Sequence, residues 1–218
     1  GGGQLGRMLA IAAASMGYRV HILAPDSEMP AGDVAAEVTR ADYLDWAALD
    51  HFAAAVDVVT YEFENVPVAT VEYLARTKIV RPGVRSLEVA QDRLAEKQFI
   101  ETLGGRPAPF AAVDSLADLE AAIARLGAPA ILKTRRMGYD GKGQARIMAP
   151  SDAASAWKAI AQSPAVLEGF VTFVAEFSVM IARGPDNSHR AYPVPRNTHV
   201  HGILSHSVIP CGPEIDAQ

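Results

Sequence analysis

The sequence predicts an α/β fold, in which strands of a parallel sheet alternate with helices. Residues 56–61, VDVVTY, form a continuous apolar run, which is typical of a strand buried on both faces of a parallel sheet. Around this run, segments with helical periodicity alternate with short apolar stretches. Half of the 218 residues are apolar, so the chain can bury a sizeable core, and its length favours one to two domains.

The start of the chain is predicted to be half of a Rossmann unit. Gly1, Gly3 and Gly6 have the G-x-G-x-x-G spacing and lead into an alanine-rich helix. A strand over residues 18–23 then ends near Asp26, about 20 residues beyond the glycines, where a dinucleotide fold carries an acidic residue. Such a turn binds phosphates of many kinds. The strand that should precede the glycines is absent, so we expect the chain to lack residues at its start.

The remaining elements follow from periodicity and from glycine and proline positions. Helices are predicted over residues 4–16, 42–55, 66–75, 86–103, 116–126 and 151–162. Further strands are predicted over residues 79–80, 130–132, 145–148, 165–171, 175–182 and 190–194. The prolines in residues 107–109 mark a linker.

The stretch of residues 130–144, AILKTRRMGYDGKGQ, is the strongest chemical signal in the chain. A short buried strand delivers Lys133 at its edge, and a loop rich in glycine, lysine and arginine follows. Open backbone N–H groups and cations together suit phosphate. A hairpin turn with solvated cations is the alternative, but the lysine on the strand favours a nucleotide.

Two further groups of polar residues are candidates for ligand contacts. Glu62, Glu64 and Asn65 follow the strand of residues 56–61, at the end of a parallel strand where such sheets bind ligands. They would equally serve to cap the helix that follows Pro67. Arg93 lies on the polar side of a predicted helix, where it would face either a nucleotide or solvent.

Charge and composition exclude several classes of protein. The 20 basic and 25 acidic residues give a net charge of −5 without a long basic tract, which argues against a nucleic-acid partner. No apolar run approaches the ~20 residues of a membrane span, so we expect a soluble protein. The single cysteine, Cys211, excludes an internal disulfide and fits a reducing cytosol. His199, His201 and His206 lack the spacing of a zinc motif, and we do not predict that they bind metal.

The motifs together resemble those of the N5-carboxyaminoimidazole ribonucleotide synthetases, which are ATP-grasp enzymes of purine biosynthesis. The resemblance covers essentially the whole chain. Its motifs are GGGQLGRM (residues 1–8), TYEFENVP (60–67), QDRLAEK (91–97), KTRRMGYDGKGQ (133–144), EGFVTFVAE (168–176) and YPVPRNTHVHGIL (192–204).

This resemblance implies three parts to the chain. Residues 1–106 would form a Rossmann-like pre-ATP-grasp domain with its connecting helix, and residues 107–164 the lid of an ATP-grasp domain. Residues 165–218 would begin the large ATP-grasp subdomain, which looks truncated at its carboxyl end. The implied reaction is the ATP- and bicarbonate-dependent carboxylation of 5-aminoimidazole ribonucleotide through carboxyphosphate.

The resemblance also assigns site residues. Tyr139, Asp140 and Lys142 would be catalytic. ATP would contact Arg93, Lys133, Gly138, Tyr139, Asp140, Gly141, Lys142, Gly143, Gln144, Glu168, Gly169, Phe170, Val171, Glu176 and His199. Within this set, Arg93 and Lys133 would touch the phosphates, residues 168–171 the adenine through their backbone, and Glu176 the ribose. The ribonucleotide would contact Gly3, Gln4, Leu5, Glu62 and Asn65.

Cofactors and partners follow from the same source. ATP and Mg²⁺ are implied, with the magnesium ligands expected beyond residue 218, and so is a cytoplasmic homodimer that acts on small molecules and binds neither nucleic acid nor membrane. Two alternatives stay open. Gly1, Gly3, Gly6 and Asp26 would also fit an NAD-dependent oxidoreductase, and the missing ligands would fit a noncatalytic nucleotide-binding fragment.

Overall fold

The structure, a computed structural model, describes residues 1–138, 142–200 and 203–212 of the 218-residue chain. It divides into two compact units, Gly1–Arg106 and Pro107–Gln218, at the proline-containing segment 107–109. Within the described residues, no helix combines the length and the apolar character that crossing a membrane requires.

The first unit alternates helices with short parallel strands. It contains helices α1 (Gln4–Ser15), α2 (Trp46–Ala54), α3 (Val68–Ala75), α4 (Val84–Ala90) and α5 (Arg93–Thr102), and strands β1 (His21–Ala24), β2 (Glu37–Arg40), β3 (Val58–Val59) and β4 (Ile79–Val80). Strand β1 pairs with β2 and β3 pairs with β4, in parallel in both cases. The predicted α/β class is confirmed.

Two side chains in the first unit set helix boundaries that differ from the predictions. The Asp45 carboxylate accepts a hydrogen bond from the Ala48 N–H (3.0 Å), so α2 begins at Trp46 rather than near residue 42. The Asp92 carboxylate accepts from the backbone N–H groups of the second and third residues of α5. The predicted helix over residues 86–103 is therefore wrong as one element, because Asp92 starts a second helix.

The core of the first unit lies between helices and strands that come from distant parts of the sequence. Its buried members include Leu49 on α2, Leu74 on α3 and Leu87 on α4. The buried Gln91 side chain donates a hydrogen bond to the Val66 carbonyl. This amide joins two motifs that were identified separately in the sequence.

The second unit contains more strand than helix. Its strands are β5 (Phe110–Val113), β6 (Ala130–Thr134), β7 (Gln144–Ile147), β8 (Ala165–Gly169), β9 (Glu176–Phe177), β10 (Ile181–Arg183), β11 (His189–Ala191), β12 (Arg196–Val200) and β13 (Ile203–Val208). Its helices are α6 (Leu116–Leu126), a short 3-10 helix (Pro150–Asp152) and α7 (Ala153–Ala159).

Three antiparallel sheets organise these strands. One has four strands in the order β5-β8-β6-β7, one has three in the order β13-β12-β9, and one pairs β10 with β11. Strand β8 lies in the four-stranded sheet, although it follows the boundary predicted at residue 164. The division of the second unit at that residue stays a prediction.

Helices α6 and α7 cover one face of the four-stranded sheet. Helix α6 begins where the Ser115 hydroxyl accepts a hydrogen bond from the Asp118 N–H (3.1 Å), and it ends at Gly127, whose φ of 83° favours glycine. Leu119 and Ile123 of this helix pack into a core cluster with Trp157 of α7. The sheet is therefore held rigidly from one side.

The last third of the chain differs most from the predictions. The strand predicted over residues 175–182 is two short strands, β9 and β10, and the one predicted over residues 190–194 is β11. Strands β12 and β13 were not predicted, because polar residues and histidines interrupt their apolar alternation. Their described side chains are mostly exposed.

Candidate functional site

The four-stranded sheet of the second unit has two chemically different faces. Leu132 of β6 and Leu167 of β8 belong to the core cluster beneath α6 and α7. Because side chains alternate along a strand, Ile131, Lys133 and Glu168 project from the opposite face. We call this second side the open face.

The strand register orders the side chains of the open face. One row contains Arg146, Ile131, Glu168 and Phe110, and the next contains Gln144, Lys133, Val166 and Ala112. Apolar, basic and acidic side chains thus lie within a few cross-strand spacings of one another. Phe110 and Ile131 are partly exposed on either side of Glu168, whereas Val166 is wholly buried. The open face thus offers an apolar strip, interrupted by Glu168, beside a cation, which suits a base and its phosphates.

Lys133 and Glu168 form an ion pair on this face. The Lys133 Nζ atom lies 2.8 Å from Glu168 Oε2, and the two side chains are 27% and 11% exposed. Both residues lie on the central strands β6 and β8. The sequence assigned Glu168 a role through its backbone and missed this carboxylate contact. The signal was a single carboxylate in the otherwise apolar run AVLEG.

Backbone hydrogen bonds close the base of the loop after β6. The Thr134 N–H donates to the Gly143 carbonyl (2.8 Å), and the Arg135 N–H donates to the Pro164 carbonyl (2.9 Å). Gly143 has a φ of 66°, and a Cβ there would press on the Thr134 hydroxyl. The glycine is therefore required by this turn.

The loop itself is described only in part. Lys142 and Gln144 are exposed, and Gln144 lies opposite Lys133 in the register of β6 and β7. Gly138 is buried at the start of the loop. The predicted residues Tyr139, Asp140 and Gly141 lie outside the described residues, so their roles stay predictions.

The predicted hinge leaves β8 with part of its backbone already paired. The Gly169 N–H donates to the Pro109 carbonyl (2.8 Å) and the Phe170 N–H to the Pro129 carbonyl (3.2 Å). In the part of the chain that the structure describes, the Phe170 carbonyl and the Val171 N–H form no hydrogen bond. These two groups are placed to accept from and donate to the edge of a base.

Glu176 and His199, which the sequence suggested separately, lie together across strands β9 and β12. The His199 Nδ1 atom is 3.1 Å from Glu176 Oε1, and the side chains are 35% and 40% exposed. The register places Asn197 opposite Glu176, so His199 is its diagonal neighbour. The pair combines the Glu176 carboxylate with the His199 imidazole, which donates or accepts hydrogen bonds.

A network of polar side chains that the sequence did not reveal supports this pair. Asn197 donates to the Ser178 hydroxyl (2.7 Å) and accepts from the Ser207 hydroxyl (2.8 Å). Ser178 and Ser207 lie on different segments, so no local pattern indicates the contact. The network fixes the strand that carries His199.

The glycine-rich start of the first unit is explained by close packing. A Cβ on Gly2 would overlap the Met29 side chain, and one on Gly6 would overlap the Gly1 carbonyl. The Ala31 N–H also donates to the Gly2 carbonyl (3.0 Å). The chain around Met29 thus lies against the turn that a dinucleotide would need to approach.

The structure brings the glycine turn together with part of the TYEFENVP motif. A Cβ on Gly1 would overlap the Glu62 carboxylate. Gly3, Gln4 and Leu5 are exposed, and a Cβ on Gly3 would meet no atom within 4 Å. Gly3 is therefore open to a ligand, while Glu62 is partly buried next to Gly1.

The alternative role of the TYEFENVP motif as a helix cap is not supported. Helix α3 has Pro67 at its N-cap and no side-chain hydrogen bond there, so neither Glu64 nor Asn65 caps it. Arg93 is the first residue of α5 and is half-buried. Glu62, Asn65 and Arg93 stay predicted ligand contacts.

The described residues contain no group of three or more histidine, cysteine or acidic side chains that would hold a metal ion. His199 and His206 lie on β12 and β13, while His201 lies outside the described residues. A magnesium ion therefore has no ready set of ligands in the ranges 1–138, 142–200 and 203–212.

Comparison with known families identifies both units. Residues 1–91 match the ribonucleotide synthetase preATP-grasp domain, and residues 98–218 match the ATP-grasp domain. The N5-carboxyaminoimidazole ribonucleotide synthase of Brucella melitensis biotype 1 is 48% identical over 212 residues. That alignment covers 96% of this chain and 59% of the relative, so the chain spans about three fifths of its length.

Solved structures give the same result. The N5-carboxyaminoimidazole synthetase of Staphylococcus aureus complexed with ADP has a TM-score of 0.93 and 37% identity, and the match covers all of this chain and 58% of that one. The Aspergillus clavatus N5-carboxyaminoimidazole synthase, in complex with ADP and 5-aminoimidazole ribonucleotide, has a TM-score of 0.80 and 25% identity, over 94% of this chain and 54% of that one. The chain belongs to the ATP-grasp family, with a preATP-grasp domain of the ribonucleotide synthetase type, and it resembles the N5-carboxyaminoimidazole ribonucleotide synthases along its whole length.

Proposed function

We propose that this protein uses ATP to carboxylate 5-aminoimidazole ribonucleotide in purine biosynthesis. The observation that carries the proposal is the similarity to synthases of this reaction across both units, at 48% identity to the Brucella relative. The open face, with Lys133 beside an apolar strip, supports nucleotide binding by the second unit. The NAD-dependent alternative is not favoured, since the relatives named above are carboxyaminoimidazole synthases and packing accounts for Gly6.

The proposed reaction has two steps. A bicarbonate oxygen attacks the γ-phosphorus of ATP, the bond to the β-phosphate oxygen breaks, and ADP and carboxyphosphate form. The exocyclic amine of the ribonucleotide then attacks the carboxyl carbon, loses a proton and expels phosphate. Phosphoryl transfer depends on positioning and on positive charge around the transferred group, which Lys133 would supply.

Individual residues receive roles in ATP binding under this proposal. Lys133 and Arg93 would contact phosphate oxygens. The Phe170 carbonyl and the Val171 N–H would pair with the adenine edge, because an amine donor and a ring-nitrogen acceptor match them. Glu176 would accept from the ribose hydroxyls while His199 holds its carboxylate.

Two sets of residues are proposed to act on the ribonucleotide. Gly3, Gln4, Leu5, Glu62 and Asn65 would contact it, and Tyr139, Asp140 and Lys142 would act at its reacting amine. The exposed glycine turn and the uncapped start of α3 support the first set. The second set rests on the sequence resemblance.

Several finer properties belong to the same proposal. Mg²⁺ would shield the phosphate charge, although the described residues supply no cluster of ligands for it. A cytoplasmic homodimer that acts on small molecules is proposed, with neither nucleic acid nor membrane as a partner. The low net charge supports the absence of nucleic acid.

Phosphate release by the natural full-length protein tests the proposal. With ATP, magnesium and bicarbonate present, adding 5-aminoimidazole ribonucleotide should accelerate release, whereas the related glycinamide ribonucleotide should not. Equal rates of phosphate release with both ribonucleotides would overturn the proposed substrate. Tight NADH binding without ATP binding, measured by NADH fluorescence, would instead support the oxidoreductase.

A further inference from the structure

The Lys133 ammonium and the Glu168 carboxylate are in direct contact. Their distance of 2.8 Å is that of a charge-assisted hydrogen bond. A backbone role at the hinge does not require the carboxylate of Glu168 at all. The side chain therefore needs an explanation of its own.

Glu168 lies on a central strand of the four-stranded sheet. Strand β8 pairs on both sides, with Phe110 of β5 and Ile131 of β6 opposite Glu168. Its side chain is only 11% exposed. The paired backbone and the low exposure together restrict where its carboxylate can lie, so it provides a fixed point on the open face.

Lys133 gains its orientation from that fixed point. A lysine side chain has four flexible carbons, and ordering it on ligand binding costs affinity. Its ammonium group has three donors, and the bond to Glu168 uses one of them. The side chain is 27% exposed. Two donors thus remain for phosphate while the contact with Glu168 is kept.

We propose that Glu168 is a positioning residue, whose carboxylate holds the Lys133 ammonium in place before ATP arrives. The inference rests on the proposed ATP binding and adds a role for a side chain that the hinge does not use. Glu168 acts through Lys133 and does not itself touch the phosphates. It lowers the ordering cost of the lysine, so that its removal weakens binding of the phosphates and not of the nucleoside.

The binding of ATP and of adenosine to E168Q distinguishes a positioning role from a contact with the base and from a purely structural role. E168Q in the full-length protein keeps the shape and an acceptor oxygen but removes the charge. We expect about threefold to tenfold weaker ATP binding by calorimetry, in line with the cost of ordering one long side chain, and unchanged adenosine binding. E120Q is the matched control, because Glu120 is exposed on α6, at the other side of the same sheet. It should leave both affinities unchanged.

A double-mutant cycle provides the second readout. If Glu168 acts through Lys133, then E168Q should change ATP affinity in the natural background and hardly at all in a K133A background. Melting temperatures recorded in parallel report any loss of the fold. A purely structural carboxylate would lower the melting temperature and both affinities together.

Each other result contradicts the inference in a recognisable way. Equal weakening of ATP and adenosine by E168Q would mean that Glu168 contacts the base or only supports the fold. Tighter ATP binding by E168Q would mean that the Glu168 carboxylate competes with phosphate for the Lys133 ammonium. Suppose that the natural protein binds ATP and that K133A weakens this binding, but that E168Q does not. The inference about Glu168 then fails, while the proposed function stands. A natural protein that does not bind ATP overturns the proposed function itself.

Discussion

Two of the three antiparallel sheets of the second unit pair their strands alike but bury very different surfaces. In the four-stranded sheet, Val113, Leu132 and Leu167 are wholly buried beneath helices. In the three-stranded sheet, the apolar side chains Leu204 and Val208 of β13 are about half exposed. Backbone pairing alone thus does not determine rigidity. The packed helices do, because they remove one whole face from water.

Each of these sheets carries an acid–base pair of the candidate site, and the pairs differ accordingly. The pair on the packed sheet, Lys133 with Glu168, is largely buried, whereas Glu176 and His199 remain more than a third exposed. Breaking a buried pair leaves an uncompensated charge, while exposed pairs contribute little to stability. We therefore expect the first pair to set geometry and the second to adjust affinity.

The largest effect is expected at the buried pair. K133A should lower ribonucleotide-dependent phosphate release at least about a hundredfold, since it removes positive charge from the transferred phosphoryl group. K158A is the control, because Lys158 lies in the last turn of α7, at the covered side of the same sheet. Turnover of K133A near that of K158A would exclude Lys133 from the phosphate site. Circular dichroism would show whether each variant is folded.

A pair of leucine substitutions tests the contrast in burial directly. L132A should lower the free energy of unfolding by about 2–5 kcal/mol, as deletions of buried leucine side chains do. L204A should change it by less than about 0.5 kcal/mol, as expected of an exposed position. Denaturant unfolding of the full-length protein measures both. A large effect of L204A would show that the three-stranded sheet is covered by residues outside the described ranges.

A smaller effect is expected at the exposed pair. E176Q and H199Q should each raise the KM for ATP several-fold with little change in melting temperature, because an exposed pair of this kind contributes only about 0.2–1 kcal/mol to stability. The Asn197→Ala variant should be measured together with E176Q and H199Q. It removes hydrogen bonds that support β12 but leaves the Glu176 carboxylate unchanged. Equal loss of kcat and of affinity in E176Q would mean that this pair also shapes the transition state.

The first unit offers a third acid–base contact, at His21, whose effect should be the smallest. Burial lowers the pKa of His21 below its ordinary value of 6.5, while the nearby Glu37 carboxylate raises it and His51 lowers it further. The side chain is 5% exposed, and its Nε2 atom lies 2.8 Å from the Thr39 hydroxyl. Folding thus favours the neutral ring.

The pH dependence that follows has a definite sign. The unfolded chain binds a proton at His21 more readily than the folded one, so this contribution to stability is complete above pH 6.5 and is lost progressively below it. Unfolding of H21N, compared with the natural protein between pH 5 and pH 8 (about the range in which histidine titrates), should show a flatter profile. The same slope in both would assign the dependence to other groups.

The sequence allowed the packed sheet to be predicted much better than the exposed one. Strand β6 follows from three apolar residues after a helix-stopping glycine, and α6 from its amphipathic pattern. Strands β2 and β12 were missed, because EVTR and RNTHV are polar and mostly exposed. Local patterns report burial, so a strand without a buried face gives no signal.

The candidate site shows the same limit. Lys133 was identified from its position after a buried strand, yet its partner Glu168 lies 35 residues away and is brought to it only by the pairing of β6 with β8. The contact between His199 and Glu176 likewise depends on strand register. Strand register is a property of the folded sheet, and a single sequence considered alone does not reveal it.

The alternation of side chains along β6 also limits which insertions and deletions this strand can accept. Leu132 and Lys133 are neighbours in sequence, yet one belongs to the core and the other to the open face. An insertion or deletion of one codon within β6 would exchange their positions, placing an ammonium group among leucines and a leucine where phosphate is to bind. Length variation should therefore be confined to the loop after Thr134, while β6 itself should keep its length.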